Sequence, residues 1–293
     1  MAHDAMTKSP PVIHGPEEVR QTVMNLRAEG QTVGLVPTMG ALHEGHLSLV
    51  DAARAECDSV VVTIFVNPTQ FGAGEDFDAY PRTLEADVAA LAERGVDLVF
   101  APAADAMYPA GHDTTVQVGD LASELEGRFR PGHFPGVATI VLKLFQIVPA
   151  DFAFFGQKDY QQSLVIRRMV ADLDVPIEVR VCETVREADG LAKSSRNVYL
   201  SAEQRQQAVC IWQSFQLAET LLAQGERQTA AIIGAMRASI RAAGVSHIDY
   251  VALADPDTLR PVDHISSRVV ALVAIRLGET RLIDNHFLDP ATD

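Results

Sequence analysis

The sequence predicts an α/β fold: a parallel sheet with helices on both faces, followed by a smaller α+β domain. Three observations carry this. Short β-branched apolar runs alternate with amphipathic or alanine-rich segments from about residue 32 to residue 182, the pattern of βαβ units. The run Ser59–Val66, "SVVVTIFV", is apolar almost throughout, as a strand covered on both faces requires. Beyond residue 185 the pattern changes to one long helical region and then three short strands with turns between them. The expected domains are therefore residues 1–184 and 185–293.

In chain order, Thr32–Pro37, "TVGLVP", is a buried strand ending at a proline, and "HLSLVDAARAEC" after Gly45 has the apolar spacing and alanine content of a helix. The strand Ser59–Val66 stops at Asn67-Pro68. Residues 82–94, "RTLEADVAALAER", form an amphipathic helix with Gly95 placed for its C-terminal cap, and Asp97–Ala101 returns as a strand. Helices over Phe134–Val148 and Tyr160–Leu173 alternate with strands Phe152–Phe155 and Ile177–Cys182. Residues 202–243 are helical, with a break at Gly225, and "HIDYVALAD", "SRVVALVAIRLG" and "TRLIDNHFL" are the closing strands. Ligands of such sheets bind at the carboxyl ends of the strands, near a switch in strand order.

Composition narrows the function. The formal net charge of −15 lacks the basic footprint of a nucleic-acid binder, so an anionic ligand needs a local cluster of donors, a helix terminus or a metal ion. Three cysteines, Cys57, Cys182 and Cys210, form no CxxC pair and suggest neither a disulfide framework nor a cysteine zinc site. No apolar run approaches the roughly 20 residues that span a bilayer. The amino-terminal "MAHDAMTKSPP" lacks the apolar core of a signal peptide. A soluble, cytoplasmic protein is expected, with no membrane and no nucleic-acid partner.

The segment Pro37–Ser48, "PTMGALHEGHLS", places His43 and His46 around Gly45 just after the first strand read here. Such a pair can bind a metal, grip a phosphate or cap a helix. A zinc-protease helix needs HExxH, but the residue four after His43 is Leu47. The phosphate reading gains from position, because a strand-turn-helix start offers unpartnered backbone N–H groups and the positive end of the helix dipole. No GxxxxGK[ST] segment and no GxGxxG after the first strand are present, which disfavours P-loop kinases and dinucleotide dehydrogenases. An HxGH pair together with the distant basic "KSSRN" suits transfer of a nucleotidyl group.

Five motifs in order, "PTMGALHEGH", "FVNPTQFGAGEDFDAYPRT", "GHFPGVATIVLKLFQIV", "FFGQKDYQQ" and "READGLAKSSRNVYLS", resemble the pantothenate synthetase family, the pantoate–β-alanine ligases. The resemblance is dense from about residue 32 to 200 and looser beyond. It implies a Rossmann-like nucleotidyltransferase domain with a C-terminal lid domain, ATP as co-substrate with Mg2+, the small-molecule substrates pantoate and β-alanine, and a homodimer. It implies catalytic roles for His43, His46, Lys158 and Arg196, the histidines contacting phosphate. Met39 resembles a backbone contact near the reacting carboxylate and the ATP, and Gln70 and Gln162 resemble the pantoate-holding amides. Gly156 and Asp159 resemble ribose contacts, Val185 an adenine contact, and Ser194, Ser195 and Arg196 the clamp on the triphosphate. Asp87 resembles a carboxylate near the metal; by itself it reads as a charge on the solvent face of a helix. Two positions depart from the pattern: Gln157 stands where glutamate is common, and Lys193, beside the nucleotide pocket, stands where leucine or methionine is expected. Two rival readings remain, a cytidylyltransferase acting on a phosphorylated alcohol and a non-catalytic nucleotide-binding regulator. The paired glutamines weigh against the first and the retained cations against the second.

Overall fold

A computed structural model describes residues 9–72 and 74–290 of the chain. The chain divides into two compact units, one running to Gly156 and including Gln162–Glu183, the other made of Gln157–Gln161 and the chain from Thr184.

The first unit holds strands β1 (Val12–Ile13), β2 (Val33–Thr38), β3 (Ser59–Ile64), β4 (Leu98–Phe100), β5 (Phe152–Gly156) and β6 (Glu178–Cys182). Their order is β1-β4-β3-β2-β5-β6, and every neighbouring pair is parallel. The helices between them are α1 (Pro16–Ala28), α2 (Glu44–Glu56), α3 (Leu84–Glu93), the short α4 (Ala104–Met107) and α5 (Glu126–Phe129), α6 (His133–Ile147) and α7 (Tyr160–Asp172).

Alternation along the central strands puts side chains on both faces, and both are dry. Leu35 and Val61 join one core with Val19 and Val23 of α1, Val137, Val141 and Leu144 of α6, and Ile166 of α7. Val36, Val60 and Val62 join another with Val50 and Ala53 of α2 and Leu91 of α3. Each such Val, Leu or Ile side chain contributes about 1.5–3 kcal/mol on burial, which is why the β-branched runs were legible as doubly covered strands.

The opening elements β1 and α1 lie before the first strand read from the sequence. The His43/His46 motif therefore follows the second strand. A two-residue strand is too short for any period, but α1 carried a signal: Pro16 opens it, Glu17 and Glu18 fill its first turn and Arg27 its last. From β2 the chain winds outward through β3 and β4, then crosses to place β5 on the other side of β2. The reversal of strand order thus lies between β2 and β5, and the histidine motif follows one of those two strands.

The second unit carries α8 (Ala202–Ala208), α9 (Cys210–Ala223), α10 (Thr229–Ala242) and an antiparallel sheet in the order β7 (His247–Ala254), β8 (Val269–Leu277), β9 (Thr280–Leu288). The region 202–243 breaks twice, at Val209 as well as beside Gly225. Phe215, Ile232, Met236, Ile240, Val273 and Ile275 form its core. Among the described residues no helix is long and apolar enough to cross a membrane.

Candidate active site

The histidine motif is built by a reciprocal cap. His43 is the N-cap of α2, with extended backbone, and its Nδ1 accepts from the Gly45 N–H at 3.1 Å. Three residues on, His46 Nδ1 accepts from the His43 N–H at 3.4 Å, and the two ring centroids lie 4.1 Å apart. This is the capping-box arrangement with imidazoles in place of hydroxyl and carboxylate. The cap and phosphate readings, opposed in the sequence, are compatible. Because each Nδ1 accepts, each neutral ring carries its proton on Nε2 and is a donor along that edge.

The expectation of unpartnered amides at this turn is corrected. Gly40 N donates to Thr38 Oγ1 at 3.2 Å, Ala41 N and Leu42 N donate to the Asp87 carboxylate at 3.0 and 2.8 Å, Gly45 N donates to His43, and His46 N donates to the His43 carbonyl at 2.7 Å. Most of the loop's donors are spent on its own shape.

Asp87 is 3% exposed, so it is no solvent-face charge. Besides the two loop amides, its carboxylate accepts from Thr83 Oγ1 at 3.2 Å. Turning it to a metal would strand two loop amides at about 1–3 kcal/mol each. Among the described residues no group of three or more His, Cys, Asp and Glu is placed to hold a metal ion. The described side chains therefore form no all-protein cage for magnesium.

Gln70 follows β3 in a single 3-10 turn, Pro68–Gln70, opened by Asn67. Asn67 is 1% exposed, and its amide Nδ2 donates to Gln70 Oε1 at 3.1 Å and to the Gly136 carbonyl at 3.2 Å. Gln70 Nε2 donates to Met39 Sδ at 2.9 Å, joining this turn to the histidine loop. The Gln70 carbonyl is within 2.9 Å of His133 Nδ1 and accepts from Arg130 at 3.4 Å, while Arg130 grips Glu75 with two bonds of 2.7 and 2.6 Å. Burial, then the Arg130 charge, pushes His133 down to about 4, so it is neutral near pH 7. Burial works to raise Glu75, but its bonds to Arg130 outweigh that and hold it down at about 2. Gly136 is obligatory in α6: a Cβ there would lie 2.3 Å from the Thr69 carbonyl oxygen and 2.8 Å from Gln70 Cα. Gln162, in α7, is half-buried in the same unit, and Gly156 closes β5.

The second unit holds the remaining candidates. Lys158 and Asp159 occupy the turn after β5, with Lys158 Nζ 3.9 Å from Asp159 Oδ1. Asn285 of β9 fixes this turn, its Nδ2 donating to the Gln157 and Lys158 carbonyls at 2.8 and 2.9 Å. The Val185 carbonyl accepts from Lys193 N at 2.9 Å across a small hairpin, and Lys193 Nζ lies 3.6 Å from Glu187. Ser194 caps the 3-10 turn Ser195–Tyr199, accepting from Arg196 N at 3.3 Å. Arg186, in the same basic segment, is committed internally: it holds Asp284 at 2.6 and 3.1 Å and lies over Trp212.

Sequence reasoning missed Asn67, Arg130, His133 and Asn285. Asn67 was read only as a strand stop, and the others act across long sequence separations that no local pattern reports.

Comparison with known proteins agrees with the motifs. Residues 11–287 match the pantoate-beta-alanine ligase family. A pantothenate synthetase from Moorella thermoacetica is 55% identical over 271 residues, covering 92% of this chain and 96% of that one. One from Aquifex aeolicus is 53% identical over 270 residues, covering 92% and 95%. The crystal structure of pantothenate synthetase from Thermus thermophilus superposes with a TM-score of 0.89 at 48% identity, covering 94% of this chain and 98% of that one. A pantoate-beta-alanine ligase from Francisella tularensis, solved in complex with beta-gamma ATP and beta-alanine, gives 0.80 at 33% identity, covering 94% and 97%. By motif order, fold and overall similarity, the chain belongs to the pantoate–β-alanine ligase family.

Proposed function

We propose that the protein condenses pantoate with β-alanine at the expense of ATP, forming pantothenate, AMP and pyrophosphate through a pantoyl adenylate. A pantoate carboxylate oxygen attacks the α-phosphorus in line and the bond to the bridging oxygen breaks, releasing pyrophosphate. The β-alanine amine then attacks the acyl carbon and AMP leaves with the bonding pair. A free carboxylate is a poor acylating agent, and the adenylate supplies the leaving group that it lacks. No enzyme nucleophile is required.

The observation that carries this reading is the reciprocal His43–His46 cap at the carboxyl end of β2, beside the reversal of strand order. Two imidazoles with protons on Nε2 stabilise the charge that grows on phosphate oxygens in the transition state. Gln70, held at both ends of its amide by Asn67 and Met39, offers pantoate a pre-oriented donor and acceptor, and Gln162 a second. Lys158, Ser194, Ser195 and Arg196 of the second unit supply donors for the triphosphate, Asp159 of that unit and Gly156 at the end of β5 contact the ribose, and the Val185 backbone meets the adenine. Magnesium enters with ATP, held by phosphate oxygens and water rather than by a protein cage. The working form is a cytoplasmic homodimer, as the family resemblance implies.

Incubation with ATP, pantoate and β-alanine tests the reading: AMP must appear in proportion to pantothenate. ATP turnover with a phosphorylated alcohol and not with pantoate would favour the cytidylyltransferase-like alternative. Nucleotide binding without turnover of either would favour a regulator.

A further inference from the structure

We infer that Asp87 is a positioning residue that sets the conformation of the histidine loop, and through it the orientation of both imidazoles. Its bearing on catalysis rests on the function proposed above; its bearing on the loop does not.

The loop from Thr38 to His43 is unusual backbone. Gly40 has φ +83° and Ala41, which carries a Cβ, has φ +50°. Two successive left-handed residues do not persist unless something holds them. The Asp87 carboxylate does so: Oδ2 accepts from Ala41 N and Oδ1 from Leu42 N, the paired-amide cradle by which backbone binds an anion. Leu42 is followed directly by His43, so the cradle fixes the chain at the entrance to the imidazole cap.

The carboxylate is itself held. It projects from the first turn of α3, where the helix dipole favours negative charge, its own amide bonds to the Thr83 carbonyl, and the Thr83 hydroxyl donates to Oδ2. Gly40 fits against it with no room to spare, since a Cβ there would lie 3.0 Å from Asp87 Oδ2 and 3.1 Å from Ile64 Cγ2. Asp87, Thr83 and Gly40 therefore form one device, with the cradle as its centre and the cap as its output. This accounts for the buried carboxylate through its bonds to backbone amides and Thr83, without calling on a metal.

Asp87→Asn tests the inference. The amide keeps one acceptor and sets an N–H against the other loop amide. Pantoate-dependent exchange of pyrophosphate into ATP should fall about 10- to 100-fold, the cost of misplacing catalytic groups by an ångström or less. The Mg2+ concentration giving half-maximal rate should not change. The ring-nitrogen NMR shifts of His43 and His46 should move from the pure Nε2–H pattern toward a mixture of tautomers. A several-fold rise in the half-maximal Mg2+ concentration, with the rate restored by excess Mg2+, would make Asp87 a metal ligand and overturn the proposal. So would an unchanged rate, or a lost rate with both imidazole signals unmoved. If the wild-type protein shows no exchange at all, the proposed function fails, and the imidazole signals alone decide the case for Asp87. If Asp87→Asn does not fold, Gly40→Ala displaces the same cradle from the opposite side, and unmoved imidazole signals in that variant would equally refute the inference.

Discussion

At the scale of single residues, His43 and His46 do two jobs with two nitrogens, and the jobs are separable in magnitude. Replacing His46 by alanine removes a transition-state donor, and adenylate formation should drop about 100-fold or more. The same change removes one half of the cap, so stability should fall by about 1 kcal/mol, which urea unfolding will register. A large loss of rate with that small loss of stability is the expected pair of results; stoichiometric zinc that leaves together with the fold would point to a structural metal instead. Lys193, the departure from the family pattern, has its ammonium 3.6 Å from the Glu187 carboxylate and its amide in the Val185 hairpin. Lys193→Met should therefore leave the Michaelis constant for ATP within about twofold, as expected for a partly exposed pair worth under ~1 kcal/mol. A several-fold rise that shrinks with added salt would place the ammonium on phosphate.

Among elements, α6 and the 3-10 turn at Gln70 are pressed together more closely than any side chain could tolerate. In an exposed helix Gly→Ala gains about 1 kcal/mol, but at Gly136 the new methyl would meet the Thr69 carbonyl at 2.3 Å, and overpacking of that kind costs about 1–3 kcal/mol. The clash wins: Gly136→Ala should destabilise the protein and, by shifting Gln70, raise the Michaelis constant for pantoate about tenfold or more while leaving that for ATP nearly unchanged. The Glu75–Arg130–His133 group on the same turn makes stability depend on pH. His133 titrates near 6.5 when unfolded and about 4 when folded, so the unfolded chain takes up its proton first. Stability is full above pH 6.5, declines as pH falls toward 4, and loses ~3 kcal/mol in all. Glu75, lowered from 4.5 to about 2, extends the loss further into acid. Urea titrations between pH 6.5 and 4 should show this slope in the wild type and a flatter one in His133→Asn. The longer helices and strands from β2 onward were legible because their signals are local: α2 and β3 end within two residues of where spacing and Asn67-Pro68 placed their ends. The bonds among these elements were not. Asp87 stands four residues before the buried Leu91, one helical turn along the same face, and that spacing was the available sign that it faced inward.

For the whole molecule, the order of strands explains why sequence alone places the histidine motif at a ligand-binding edge: a parallel sheet has its reversal at one point, and here it adjoins β2. Nothing in the sequence pattern marks Gln157–Gln161 as part of the second unit, because a five-residue excursion held by Asn285 leaves no compositional trace. If activation of the acid precedes the amine, labelled pyrophosphate should exchange into ATP with pantoate alone; exchange that strictly requires β-alanine would refute an adenylate. The cradle under the histidine loop also bears on how such chemistry could be moved to another scaffold. The twelve residues of the motif look portable, yet the carboxylate that shapes them comes from a helix 46 positions beyond Ala41. A graft of the motif alone would carry the imidazoles without their support, and the smallest transferable piece is β2 through α3, two strands and two helices copied as a block.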